Sequence, residues 1–167
     1  NHRGSAFGNI GIDKQTTQQQ FENDLSHAWI RLKKNKVVFI ESESRKIGKV
    51  VIPSQFWEQM QQAYYLKISM PFNRRVYNLL DEYGHHPIYE YKKRINQITK
   101  KLGVQKTRYA HELLDKKDLK QFCSFLLEKY YDKMYRFAYN KRETKKDTLI
   151  IKNEPYSIII DKIIDLI

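Results

Sequence analysis

KVVFIESESRKIG, residues 36–48, carries an almost unbroken apolar run over 37–41 that turns abruptly polar. A run this short, between a helical pattern and a polar turn, predicts a strand near 37–41 buried on both faces, the kind that parallel sheets contain. Forward of it, residues 53–62 predict a short helix. AYYLKISM, residues 63–70, then predicts a second buried strand near 64–69. Pro71 suits the first turn of the next helix, PFNRRVYNLLDEY, and Gly84 ends it. Strand, helix, strand, helix in this order predicts right-handed crossovers and an α/β fold on a partial doubly wound parallel sheet. The residues just after each strand would then line the ligand edge of that sheet.

Behind the first strand, Thr16 or Thr17 followed by Gln19 or Gln20 reads as a capping box, and Phe21, Leu25, Ala28 and Leu32 recur at helical spacing. From His85 onward the pattern is mainly helical, with helices predicted over 88–102, 107–114 and 118–139. Residues 148–167 predict one more strand, near 148–152, and a closing helix. The expectation is one domain or partial domain, α/β over 1–84 and helical and basic over 85–167, with a polar loop at 140–147.

The chain has 167 residues with 31 Lys and Arg against 19 Asp and Glu, a net charge of +12. Such a balance favours a polyanionic partner, most simply nucleic acid, or phosphorylated ligands. No run of about 18 apolar residues exists to span a bilayer, and the start has no apolar signal-peptide core. Cys123 is the one cysteine, so an intramolecular disulfide and a thiol-rich metal site are excluded. Its helical spacing with Phe122, Leu126 and Leu127 predicts a small core residue in a reducing, cytoplasmic compartment.

Three stretches could carry chemistry. In ESESR, Glu41 stands at the end of the first predicted strand, where nucleotide-binding folds place an acid for Mg²⁺ or a water, and Ser42, Ser44 and Arg45 beside it suit a phosphate ligand. Residues 92–108 hold seven basic side chains, Lys92, Lys93, Arg94, Lys100, Lys101, Lys106 and Arg108, with no acid between Glu90 and Glu112. Ile95, Ile98 and Leu102 supply a buried stripe that leaves the cations on the exposed arc, which predicts contact with a nucleic-acid backbone. In YYDKMYRFAY, residues 130–139, the aromatics could stack on bases, but their spacing favours a place in the core. His85 and His86 lack a third ligand nearby, so no metal site is expected. There is no GxxxxGK[ST] phosphate loop, although the strand and helix order calls for one upstream.

NHRGSAFG (residues 1–8), QQQFEN and FIESESRKIGKVVIP, followed by PFNRRVYNLLDEY, KKLG and YYDKMY, resemble the C-terminal region of the tRNA 2-selenouridine synthases. The resemblance is specific over the first 55 residues and extends to about Tyr139. It implies a P-loop NTPase-like domain that in the family follows a rhodanese domain with a catalytic cysteine. It also implies an activity: wobble 2-thiouridine of certain tRNAs is geranylated, and sulfur is then replaced by selenium from selenophosphate. Geranyl pyrophosphate and selenophosphate would be co-substrates and tRNA the partner.

By that resemblance His2, Arg3, Gly4, Ser5 and Gly8 would contact a phosphate or pyrophosphate. Glu41 and Ser44 would stand at the strand end, with Arg45 and Arg75 as further anion contacts, while Lys92, Lys93, Arg94, Lys100, Lys101, Lys106 and Arg108 would hold tRNA. Phe7 reads as a loop anchor in preference to a prenyl contact. The rhodanese cysteine and the phosphate loop are not in this sequence, so it reads as a fragment that does not catalyse alone. Its truncated sheet should leave a strand edge open to self-association. The rival readings are the body of a P-loop kinase and a non-catalytic RNA-binding module.

Overall fold

The computed structural model describes Phe7, Gly8, Ile10 and residues 15–33, 35–42 and 44–166. Backbone packing divides the chain into two compact units, Asn1–Tyr64 with Leu166–Ile167, and Tyr65–Asp165.

In the first unit, helix α1 (Gln18–Ile30) starts at Thr17, whose side chain accepts from the Gln20 N–H at 3.2 Å, as its capping pattern predicts. Strands β1 (Lys46–Ile47) and β2 (Val50–Val51) form an antiparallel hairpin turned at Gly48, which takes φ 60°. Two glutamines serve that hairpin's backbone. Gln18 donates to the Val51 carbonyl and accepts the Val51 N–H, both at 2.8 Å. Gln15 donates to the Ile47 carbonyl at 2.7 Å and accepts the Lys49 N–H at 2.8 Å. Side-chain amides thus satisfy donors and acceptors that a neighbouring strand would otherwise pair. Helix α2 (Ser54–Gln62) follows Pro53, and its Phe56 meets Trp29 of α1 edge-on at 5.3 Å. Phe7, Ile10, Val50, Ile52 and Met60 are buried.

The predicted strand near 37–41 does not form. Residues 36–40 have no ladder partner among the described residues, and Val37, Val38, Phe39 and Ile40 are exposed. An apolar run makes a strand only where its backbone groups find partners and its faces find cover. Neither is supplied to this run.

The second unit is a two-stranded parallel sheet and a helical layer. β3 (Tyr65–Ser69) does form, but it pairs with the late strand β4 (Lys146–Ile150), Tyr65 opposite Lys146 and Ser69 opposite Ile150. Bonds from Tyr65 N–H to the Lys145 carbonyl and from Ile151 N–H to the Ser69 carbonyl extend the ladder at both ends. Lys67 and Ile68 are exposed, so β3 is not buried on both faces. The connection is helical: α3 (Phe72–Tyr83), α4 (Ile88–Leu102), α5 (Val104–Asp115), α6 (Leu119–Leu126), a π-helical turn (Leu127–Tyr131) and α7 (Asp132–Lys141). Helix α8 (Tyr156–Ile164) follows β4.

The predicted helix over 118–139 is therefore interrupted by the π turn. Asp118 caps its start by accepting from the Gln121 N–H at 3.0 Å. Just past the π turn, Asp132 accepts both terminal nitrogens of Arg75 on α3, at 2.5 and 2.9 Å. Val76, Tyr91, Ile95, Ala110, Leu114, Phe122, Leu126 and Tyr130 lie in the core of this unit, and Tyr91 meets Phe122 edge-on at 5.8 Å. The loop between β4 and α8 is fixed by Arg74, which donates to the carbonyls of Lys152 and Glu154. The Glu154 carboxyl is lowered to about 2, first by its hydrogen bond from Lys162.

Gly103 alone joins α4 to α5, at φ 92° and ψ 148°, a conformation side chains other than glycine's rarely adopt. A Cβ there would meet no atom within 4 Å, so Gly103→Ala isolates the backbone cost. It should lower stability by about 1–3 kcal/mol in urea unfolding. Cys123 is half-buried on α6, and burial pushes its thiol up to about 11 from 9.0. At pH 8 its alkylation should run roughly 100-fold slower in the folded chain than in the unfolded one, since only the thiolate reacts.

Candidate nucleic-acid interface

The basic stretch is built around one seam. Tyr91, Ile95, Ile98 and Leu102 of α4 are buried, as are Thr107, Ala110, Leu113 and Leu114 of α5. Asn96 lies 2.8 Å from His111, and one turn nearer the start of α4, Lys92 pairs with Asp115 at 2.5 Å. The two helices therefore run antiparallel, as their one-residue link requires. Positions 89, 93 and 100 fall opposite the buried stripe at helical spacing, so Tyr89, Lys93 and Lys100 share an outward ridge.

Of the seven predicted contacts, Lys93, Lys100, Lys101, Lys106 and Arg108 are exposed and have no ion pair among the described residues. The other two are engaged. Lys92 faces Asp115 in a partly exposed pair, which solvent keeps weak and exchangeable. Arg94 is structural: its side chain is 12% exposed, lies 3.8 Å from Glu90 and donates to Gln97 at 3.3 Å. No acid lies between Glu90 and Glu112 in the sequence, and of the five exposed cations Lys93 and Lys100 lie on the α4 ridge, Lys101 lies in the last turn of α4, and Lys106 and Arg108 lie on α5.

Five of the nine predicted phosphate contacts lie among the described residues. His2, Arg3, Gly4 and Ser5 lie outside them. Gly8 is buried and Glu41 is exposed, the latter with no strand leading into it. Ser44 donates to the Lys46 carbonyl at 2.7 Å, and Arg45 donates to Ser54 at the start of α2, also at 2.7 Å. Arg75 is held bidentately by Asp132, and that hydrogen bonding raises its already high pKa. Among the described residues no group of three His, Cys, Asp or Glu could hold a metal ion, and no helix is long and apolar enough to cross a membrane.

The tyrosine cluster splits. Tyr130 is buried against the core, but α7 buries none of its residues, and Tyr135 and Phe137 are exposed. The π turn explains the difference, because its extra residue shifts the helical phase that had pointed these rings inward. The structure also shows a feature that the sequence reading missed: cations lie over aromatic rings, Lys120 over Tyr77 and Lys141 over Phe137. Alternation of aromatic and basic residues through 130–142 was the available signal.

The helical part of this α/β chain thus displays an exposed basic ridge. The chain belongs to the family described as the tRNA 2-selenouridine synthase AAA domain, whose family model matches residues 1–159. A tRNA 2-selenouridine synthase of Shewanella sp. (strain ANA-3) is 31% identical over 172 residues, covering 85% of this chain and 47% of that protein. The one from Shewanella frigidimarina is 27% identical over 188 residues, covering 95% and 50%. That of Nitrosomonas eutropha is 40% identical over 85 residues, covering 49% and 22%. The chain thus spans about half the length of the Shewanella relatives it matches. No solved structure gives a significant match.

Replacing Lys93 and Lys100 together by alanine should weaken binding of structured RNA and reduce the slope of log affinity against log salt by roughly 2, with the melting temperature unchanged. Arg94→Ala should instead lower the melting temperature, because its side chain is packed at 12% exposure.

Proposed function

We propose that this chain is the C-terminal, tRNA- and phosphate-handling part of an enzyme that converts wobble 2-thiouridine in tRNA to 2-selenouridine. The conversion passes through a geranylated intermediate, with geranyl pyrophosphate and selenophosphate as co-substrates, in the cytoplasm. The observation that carries this reading is the set of exposed cations on α4 and α5 in a chain that belongs to the tRNA 2-selenouridine synthase AAA domain family. Lys93, Lys100, Lys101, Lys106 and Arg108 neutralise tRNA phosphates, and Lys92 joins them by releasing Asp115.

The finer fold belongs to the same proposal: β3 and β4, adjacent and parallel, are two strands of a P-loop-like doubly wound sheet. His2, Arg3, Gly4, Ser5 and Gly8 contact a phosphate or pyrophosphate, with Glu41, Ser44 and Arg45 as further contacts, Arg45 by releasing Ser54; Arg75 contacts an anion in the second unit by releasing Asp132. The 167 residues do not catalyse alone. In support of that, the one cysteine is half-buried with its thiol near 11, a poor nucleophile at neutral pH.

The test incubates the 167-residue chain with tRNA, geranyl pyrophosphate and selenophosphate, and measures tRNA binding and the digested nucleosides. The expected result is salt-sensitive tRNA binding that responds to the co-substrates, without formation of 2-selenouridine. Absence of tRNA binding, or turnover by the chain alone, would overturn the proposal. Binding indifferent to both co-substrates would favour the non-catalytic RNA-binding module.

A further inference from the structure

α7 is the one helix of the second unit in which no residue is buried. Lys133, Met134, Phe137 and Lys141 recur along one side of it at helical spacing. Phe137 is 63% exposed and Met134 43%, and the Lys141 ammonium stands 4.5 Å from the centre of the Phe137 ring. Where α7 meets the sheet, the pattern repeats. Lys67 and Lys146 lie 5.0 and 4.8 Å from the Tyr139 ring, and Arg142 lies 4.6 Å from the Tyr65 ring.

Strand register brings the sheet residues together. Tyr65 is opposite Lys146 and Lys67 opposite Thr148, so all four project from one face. Tyr65 and Lys146 begin their strands, so the cluster lies toward the amino edge of the parallel sheet. Ligands of nucleotide type bind such sheets at the opposite, carboxyl edge.

The chemistry of this surface is specific. Residues 133–146 hold six Lys or Arg and one acid, Glu143, so it attracts a polyanion. The exposed Phe137 ring beside a cation, with the half-buried Tyr65 and Tyr139 rings repeating the pattern, adds a demand for flat, unsaturated groups beside the negative charge. An acidic peptide lacks those groups, and a duplex keeps its bases inside the stack. Single-stranded RNA presents both, because unstacked bases lie on aromatic side chains while lysines take the phosphates on either side.

We propose that α7 and the adjoining β3–β4 face form a second RNA contact, one that takes unpaired nucleotides, with a base stacked on Phe137 and Lys133 and Lys141 on the flanking phosphates. This rests on the reading of RNA as the partner. It differs from the α4–α5 ridge in kind, since that ridge meets backbone charge in paired or unpaired RNA alike.

Affinities of the full 167-residue chain for a short oligouridine, an RNA duplex of equal length and polyglutamate test it. Phe137 is exposed, so its replacement leaves the core intact. Phe137→Ala should weaken oligouridine binding about 10-fold and leave the duplex within about twofold, while Phe137→Trp keeps oligouridine affinity. The Lys93→Ala, Lys100→Ala double variant should weaken both RNAs.

Unchanged oligouridine affinity in Phe137→Ala, an equal loss on the duplex, or an equal loss on polyglutamate would overturn this inference. If those results came with the double variant still weakening both RNAs, the ridge would stand without α7. If the unmodified chain bound neither RNA, the functional reading and this inference would fall together.

Discussion

The seam between α4 and α5 decides what the helical unit can do. Ile95, Ala110 and Leu114 are sealed from solvent there, and burying each of the two large side chains contributes about 1.5–3 kcal/mol. Because a helix turns through 3.6 residues, fixing Tyr91, Ile95, Ile98 and Leu102 inward fixes Lys93 and Lys100 outward. The basic ridge is the geometric complement of the apolar stripe. The one-residue link at Gly103 forces the antiparallel return that sets α5 beside it and carries Arg108 and Lys106 onto the same hairpin.

The parts of the fold that were legible in the sequence are those that local chemistry specifies. Thr17 announced the start of α1 through its capping bond, and the apolar period of α4 marked its extent. β3, β4 and α8 also lie where their patterns placed them, within a few residues. The strand expected near 37–41 fails because a strand is a claim about pairing, and Val37 to Ile40 have no ladder partner among the described residues. β3 finds its partner some eighty residues later, and no local pattern encodes that pairing. The π turn was equally invisible: one extra residue between Leu127 and Tyr131 leaves composition untouched while rotating all that follows.

The same division runs through the candidate site. Charge density and the missing acids pointed to the ridge, since those are properties of composition and period. That Arg94 is packed, that Lys92 faces Asp115 and that Arg75 is committed to Asp132 depend on which side chains meet across helices. The rings of α7 show the cost of reading aromatic residues as core by habit. Tyr130 obeys, whereas Phe137, past the π turn, stands in solvent beneath Lys141.

On the proposed function the α4–α5 ridge is where this chain meets tRNA, and lysine acetylation with and without tRNA measures that contact most directly. Lys93, Lys100, Lys101 and Lys106 should become protected on binding, with Lys33 and Lys36 in the first unit as reactive as before. Unaltered reactivity at Lys93 and Lys100, with protection confined to the first unit, would place the tRNA contact elsewhere and overturn this assignment.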